Sequence, residues 1–130
     1  MPNILVIDDE PVILEYLKMI ISHLGYAVQT ASDGQMGFEQ AKNPDVNLII
    51  CDLNMPGEIS GMDMVKKMVA LKPGRPLIIL SGYPTPERAK ESEDIGAIEF
   101  LTKPFEIPFL ASLLKRLLPL DKESSSITIQ

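Results

Sequence analysis

Val46-Asn47-Leu48-Ile49-Ile50-Cys51-Asp52-Leu53-Asn54-Met55-Pro56 is the stretch that decides the fold. Its first half is a short, almost wholly apolar run of the kind that forms a strand buried on both faces, and it ends abruptly in a carboxylate, an amide and a proline. The core stops there, which puts Asp52 at its mouth. In an open parallel sheet the crevice beyond the carboxyl ends of the strands is where ligands bind. Asp52 is therefore a candidate for chemistry, and its reading is that of an acceptor for a phosphoryl group.

Working outward, the same alternation recurs on both sides. Asn3 to Ile7 is a second buried run, emptying into Asp8-Asp9-Glu10-Pro11, with Pro11 in the first turn of a helix where its missing N–H costs nothing. Ile13, Leu17, Ile20 and Leu24 then recur on one helix face, closed by Gly25. A shorter strand over 26–30 leads to Ser32-Asp33-Gly34, which has the chemistry of a helix N-cap. Beyond Asp52, Ser60 and Asp63 are spaced like a capping box for a helix that turns Met62, Val65 and Val69 inward. A strand over 76–80 ends in Ser81, and Thr85-Pro86-Glu87 starts the next helix. A strand over 97–101 ends in Thr102-Lys103-Pro104, before an amphipathic last helix with Phe109, Leu110, Leu113, Leu114 and Leu117, whose Phe109 or Leu110 is also placed to meet a partner. Five strands alternating with five helices predict one α/β domain, residues 1–119, with a parallel sheet and right-handed crossovers; 120–130 read as a flexible tail or the start of a linker. The strands ending in Ile7, Cys51 and Leu80 should be central.

Composition narrows the function. The 130 residues suffice for a core without disulfides or structural metal. A net charge of -6 argues against broad electrostatic capture of nucleic acid or an anionic membrane. No signal peptide or membrane span is evident, so a cytoplasmic protein is expected. The single cysteine, Cys51, reads as a small buried hydrophobe.

If the strands are parallel, the polar residues that follow four of them come to one edge: Asp8 and Asp9, Asp52 and Asn54, Ser81, and Lys103. Crowded carboxylates stay ionised cheaply only when a divalent cation or a lysine offsets their repulsion. Hard oxygen ligands suit Mg²⁺, which binds through one or two carboxylates plus a phosphate and stabilises charge on a phosphoryl group in transfer. Taken singly, each residue has a plainer explanation: helix N-terminal acids, a turn aspartate, a solvated lysine, a capping serine. Those explanations give no reason for such groups to follow four different strands.

The sequence resembles the receiver domain of bacterial response regulators, the phospho-accepting half of two-component signalling, in its stand-alone, chemotaxis-regulator-like form. The resemblance rests on Asp8-Asp9, Asp52-Leu53-Asn54-Met55-Pro56, Ser81-Gly82 and Lys103-Pro104-Phe105, in order and at the right strand ends. It implies a doubly wound, flavodoxin-like sheet in the order 2-1-3-4-5 flanked by five helices. It also implies that Asp52 takes phosphate from a histidine kinase or a phosphotransfer protein, becoming an aspartyl phosphate. Asp9 and Asp52 would ligate Mg²⁺ directly, Asp8 through a water, and Asn54 through its main-chain carbonyl. Lys103 would pair with the phosphoryl group and precede a cis proline; Ser81 would hydrogen-bond a phosphoryl oxygen, and Phe100 would be the switch aromatic. Phosphorylation would then remodel the face formed by the fourth helix, fifth strand and fifth helix.

The stretch from Asp52 to Gly61 is one residue longer than usual, Gly82 stands where alanine is frequent, and Phe100 lacks the hydroxyl of a tyrosine. Tyr83 is placed to shield an acyl phosphate, which predicts slow self-dephosphorylation. An alternative is an aspartyl-phosphate phosphatase of the haloacid dehalogenase type, but Asn54 stands where those enzymes carry a carboxyl acid, and an amide cannot donate that proton. A phosphorylation-independent pseudo-receiver scaffold finds no support, since every expected site residue is present. No output segment follows Pro119, so the chain is expected either to work alone or to be a receiver cut from a longer protein. The downstream target, a lost output domain and phosphorylation-dependent dimerisation are left open by the sequence.

Overall fold

The computed structural model describes residues 1–53, 61–82, 85–97 and 99–120. The elements run β1 (Asn3–Ile7), α1 (Pro11–His23), β2 (Ala27–Ala31), α2 (Gly34–Ala41), β3 (Val46–Asp52), α3 (Gly61–Leu71), β4 (Leu77–Ser81), α4 (Pro86–Asp94), β5 (Glu99–Thr102) and α5 (Ile107–Leu117). All pairings are parallel and the strand order is β2-β1-β3-β4-β5. Parallel pairing sends every strand end to the same edge, so Ile7, Asp52, Ser81 and Thr102 open onto one crevice. The strands start and stop one or two residues later than the sequence predicts for β2, β4 and β5, within the ordinary uncertainty of element ends.

Side chains alternate across the sheet with a period of two, and this divides the core into two layers. Ile4 and Val6, Leu48 and Ile50, Ile78 and Leu80, and Leu101 pack on one face with Leu17, Ile21, Leu110, Leu113 and Leu114 of α1 and α5. Leu5 and Ile7, Ile49 and Cys51, and Leu77 and Ile79 pack on the other with Met64, Val65 and Met68 of α3. Val46 departs from this alternation and joins the second layer; a register shift between Asn3 and Ile4 at the β1–β3 pairing accompanies it. Each fully buried aliphatic side chain contributes about 1.5–3 kcal/mol, so β1, β3 and β4 anchor the site they carry.

The helices are closed by the local chemistry their sequences supply. Gly25 ends α1 at φ 108°, where an L side chain would be strained. Asp33 caps α2, its Oδ1 accepting from the Met36 N–H at 2.7 Å. One inward face differs from expectation. In α3 the fully buried side chains are Met64, Val65 and Met68, with Met62 and Val69 at the margin. In α5, Phe109 is 50% exposed while Leu110 is buried, because Phe109 lies at the edge of the apolar stripe. Arg75, unremarked in the sequence, is buried: Nη1 donates to the carbonyls of Ala41 (3.0 Å) and Val46 (3.4 Å). It supplies the cation that the last turn of α2 lacks.

Candidate functional site

The site is built from strand ends. Asp8, directly after β1, is held by its own main chain: its N–H donates to the Ala31 carbonyl at 3.1 Å, and its Oδ1 accepts from the Glu10 N–H at 2.9 Å. Asp52 ends β3 and is 3% exposed. Ser81 ends β4 and is wholly buried, and its carbonyl accepts from the Lys103 N–H at 2.8 Å, locking the end of β5 beside it. The Lys103–Pro104 peptide bond is cis, as expected. Asn54, whose carbonyl the sequence reading offers to a metal, and Tyr83 lie outside the described residues. Phe100 lies on β5, partly buried against the α3-side core.

The charges converge. Ligand oxygens of Asp8, Asp9, Glu10 and Asp52 all lie within 4.8 Å of one another. The Lys103 ammonium sits among them, 3.0 Å from Asp8, 3.1 Å from Glu10 and 3.4 Å from Asp52. Burial raises the Asp8 carboxyl above the ordinary carboxylate range; the Glu10 N–H and Lys103 pull it back, while Asp52 adds to the rise. Burial works against the charge on Lys103, but the carboxylates of Asp8, Glu10 and Asp52 outweigh it and hold the ammonium above the usual lysine range. Glu10 is the member that sequence reasoning missed. Its position reads as an acid before a helix, and only the placement of β5 shows that its side chain reaches Lys103.

The residues present suit a hard divalent cation. Asp8 Oδ2 is buried, and it lies 3.0 Å from the Lys103 ammonium within a group of four carboxylates, so negative charge outnumbers the one cation that meets it there. Oxygen-only donors of this kind are what Mg²⁺ prefers.

Residues 4–115 match the family model of the response regulator receiver domain. The chain belongs to that family. As a receiver domain it is a phospho-accepting module of two-component signalling. It is 31% identical to the transcriptional regulatory protein ZraR of Escherichia coli K12, over 97% of this chain but only 29% of that protein. Among solved structures, the receiver matches chemotaxis protein CheY4 of Vibrio cholerae at a TM-score of 0.82 and 31% identity, covering 91% of this chain and 99% of that one. It matches response regulator TrrA of Thermotoga maritima, solved in complex with Mg²⁺ and BeF, at 0.81 and 33% identity, over 91% and 100% of the two chains. The doubly wound fold read from the sequence is the fold these neighbours share. Among the described residues of this receiver, no helix is long and apolar enough to cross a membrane.

Proposed function

We propose that Asp52 is the phosphoryl acceptor of this receiver and that Asp8, Asp9, Ser81 and Lys103 serve it. The observation that carries this reading is the placement of the buried Asp52 carboxylate 3.4 Å from the Lys103 ammonium and within one group of carboxylates. An Asp52 oxygen attacks phosphorus, the bond from phosphorus to the donor breaks, and the donor leaves with the electron pair; a carboxylate nucleophile needs no proton removed. Lys103 then turns its ammonium to the new phosphoryl group, and the Ser81 hydroxyl donates to one of its oxygens. Asp9 and Asp52 would hold Mg²⁺ directly, Asp8 through a water and Asn54 through its carbonyl. Bound there, the metal would neutralise charge on the phosphoryl oxygens. The domain thereby promotes its own phosphorylation and dephosphorylation.

Residues 1–119 form the receiver unit in this reading, acting in the cytoplasm with a histidine kinase or a phosphotransfer protein as donor. Movement of Ser81 and a rotamer change at Phe100 carry the switch to the α4–β5–α5 face, where the exposed Phe109 offers a partner an apolar contact. The chain spans less than a third of ZraR, so an output partner in the same or another chain is part of the proposal.

Intact mass after incubation with Mg²⁺ and acetyl phosphate tests the assignment. Wild type should gain one phosphate, and Asp52→Asn or chelator should abolish the gain. Modification that survives in Asp52→Asn would identify a different acceptor.

A further inference from the structure

Glu10 occupies a place that acceptor chemistry alone does not require. It is the N-cap of α1, yet its side chain makes no cap hydrogen bond. Instead its N–H braces Asp8, and its Oε1 accepts from Lys103 Nζ at 3.1 Å, across 93 residues of chain. The Glu10 side chain is 59% exposed, against 18% for Lys103 and 3% for Asp52, so Glu10 lies on the solvent side of the lysine. Lys103 is also drawn off centre: its ammonium is closer to Asp8 and Glu10 than to Asp52.

We propose that Glu10 is a positioning residue that holds Lys103 on the Asp8 side of the crevice and thereby restrains phosphorylation. The proposal rests on the reading of Asp52 as acceptor. Two effects act in the same direction. Lys103 must leave Glu10 to meet a phosphoryl group on Asp52, and the Glu10 carboxylate repels the anionic donor as it enters. With acetyl phosphate, the bond from an Asp52 oxygen to phosphorus forms as the bond from phosphorus to acetate breaks; acetate leaves with the electron pair and no proton moves. Glu10 touches none of these atoms. It acts through the lysine and through its charge.

The test compares wild type, Glu10→Gln and Glu10→Ala, following initial phosphate gain by intact mass at saturating Mg²⁺ and fixed acetyl phosphate, at low and high salt. Both variants should be faster at low salt by about two- to fivefold, the weight of one partly exposed ion pair. The advantage should shrink as salt screens the charge, which a merely structural effect would not do. In metal-free, ¹⁵N-labelled protein the Lys103 ammonium should become more mobile in Glu10→Gln. Variants that are no faster than wild type, or faster by a factor that salt leaves unchanged, would overturn the role of Glu10. A wild type that takes no phosphate would refute the acceptor reading and this inference with it, whereas equal rates in phosphorylated proteins refute the inference alone.

Discussion

Replacing Lys103 with methionine removes the ammonium while keeping most of the apolar stem. Asp8, Asp9, Glu10 and Asp52 are then left within 4.8 Å of one another with no ammonium among them. Asp9 and Glu10 are exposed and screened by water, so they count for little; Asp8 and Asp52 are buried. Removing one partner of a buried pair costs about 3–5 kcal/mol. One escape limits the loss: the Asp8 carboxyl, already raised chiefly by burial, can hold a proton. We therefore expect about 3 kcal/mol at pH 7, a large part of the roughly 5–15 kcal/mol that stabilises a domain. The pH dependence fixes the mechanism. A carboxyl whose folded pKa lies above its unfolded value keeps its proton in the folded state where the unfolded chain has released it. Its contribution is thus present at low pH and lost as pH rises from about 4 through the folded value. The deficit of Lys103→Met should accordingly be smaller at pH 5 than at pH 7, and millimolar Mg²⁺ should reduce it at pH 7 by restoring positive charge. Lys103 itself has a raised pKa in the wild type, so its stabilisation is complete below about pH 10.4 and is lost as pH rises through the higher folded value. Urea unfolding followed by circular dichroism at 222 nm is the assay, since the chain has no tryptophan. A variant as stable as wild type at pH 7, or one equally destabilised at both pH values, would refute the reasoning.

Three further outcomes follow from packing and burial. A Cβ at Gly37 in α2 would stand 2.5 Å from Ile7 Cδ1 and 2.8 Å from its Cγ1. Overpacking of about 1–3 kcal/mol outweighs a helix-propensity gain of about 1 kcal/mol, so Gly37→Ala should lower stability in urea, and Ile7→Val, which removes Cδ1 but keeps Cγ1, should relieve part of the loss; a stabilised single variant would contradict the contact. The Tyr26 hydroxyl donates to the Leu118 carbonyl at 2.9 Å, and burial raises its pKa. The unfolded chain therefore releases this proton first, stability should fall with pH above about 10, and Tyr26→Phe should flatten that slope in alkaline unfolding curves. Burial, followed by the charges of Asp52 and Asp8, pushes the Cys51 thiol up to about 12. Alkylation at pH 8 should be negligible until urea unfolds the chain, and rapid labelling of folded protein would show the thiol to be reachable.

Much of this molecule is legible in its sequence because a parallel sheet covered on both faces leaves an unusually plain signature. The apolar runs ending at Ile7, Cys51 and Leu80 lie in the central strands, and the polar residues that follow them, Asp8, Asp52 and Ser81, come to one edge of the sheet. Alternation of strands and helices does not by itself set the order β2-β1-β3-β4-β5, which came from the resemblance carried by four motifs. What stayed hidden depended on which long side chain meets which distant element. Glu10 reads locally as a helix-terminal acid, and Arg75 reads as a charge in a Lys-Pro-Gly-Arg-Pro break. The reach of one to Lys103 and of the other to the carbonyls of Ala41 and Val46 exists only once β5 and α2 are placed. Of the two α5 residues that the sequence offers to a partner, Phe109 is half exposed and Leu110 is buried, a division set by how α5 docks on the sheet.

The all-parallel register has a consequence for the order in which the molecule can come into being. Parallel neighbours cannot be joined by a tight hairpin, and such long-range pairing is intrinsically slow to form. β1 is synthesised first but lies between β2 and β3, and the lysine that balances its aspartates belongs to the far end of the sheet. At about 5–20 residues per second, a nascent chain spends seconds with its acidic residues made and their counter-charge still unwritten. Assembly of the crevice is thus coupled to completion of β5, and a partly built domain has no stable pocket in which to receive a signal.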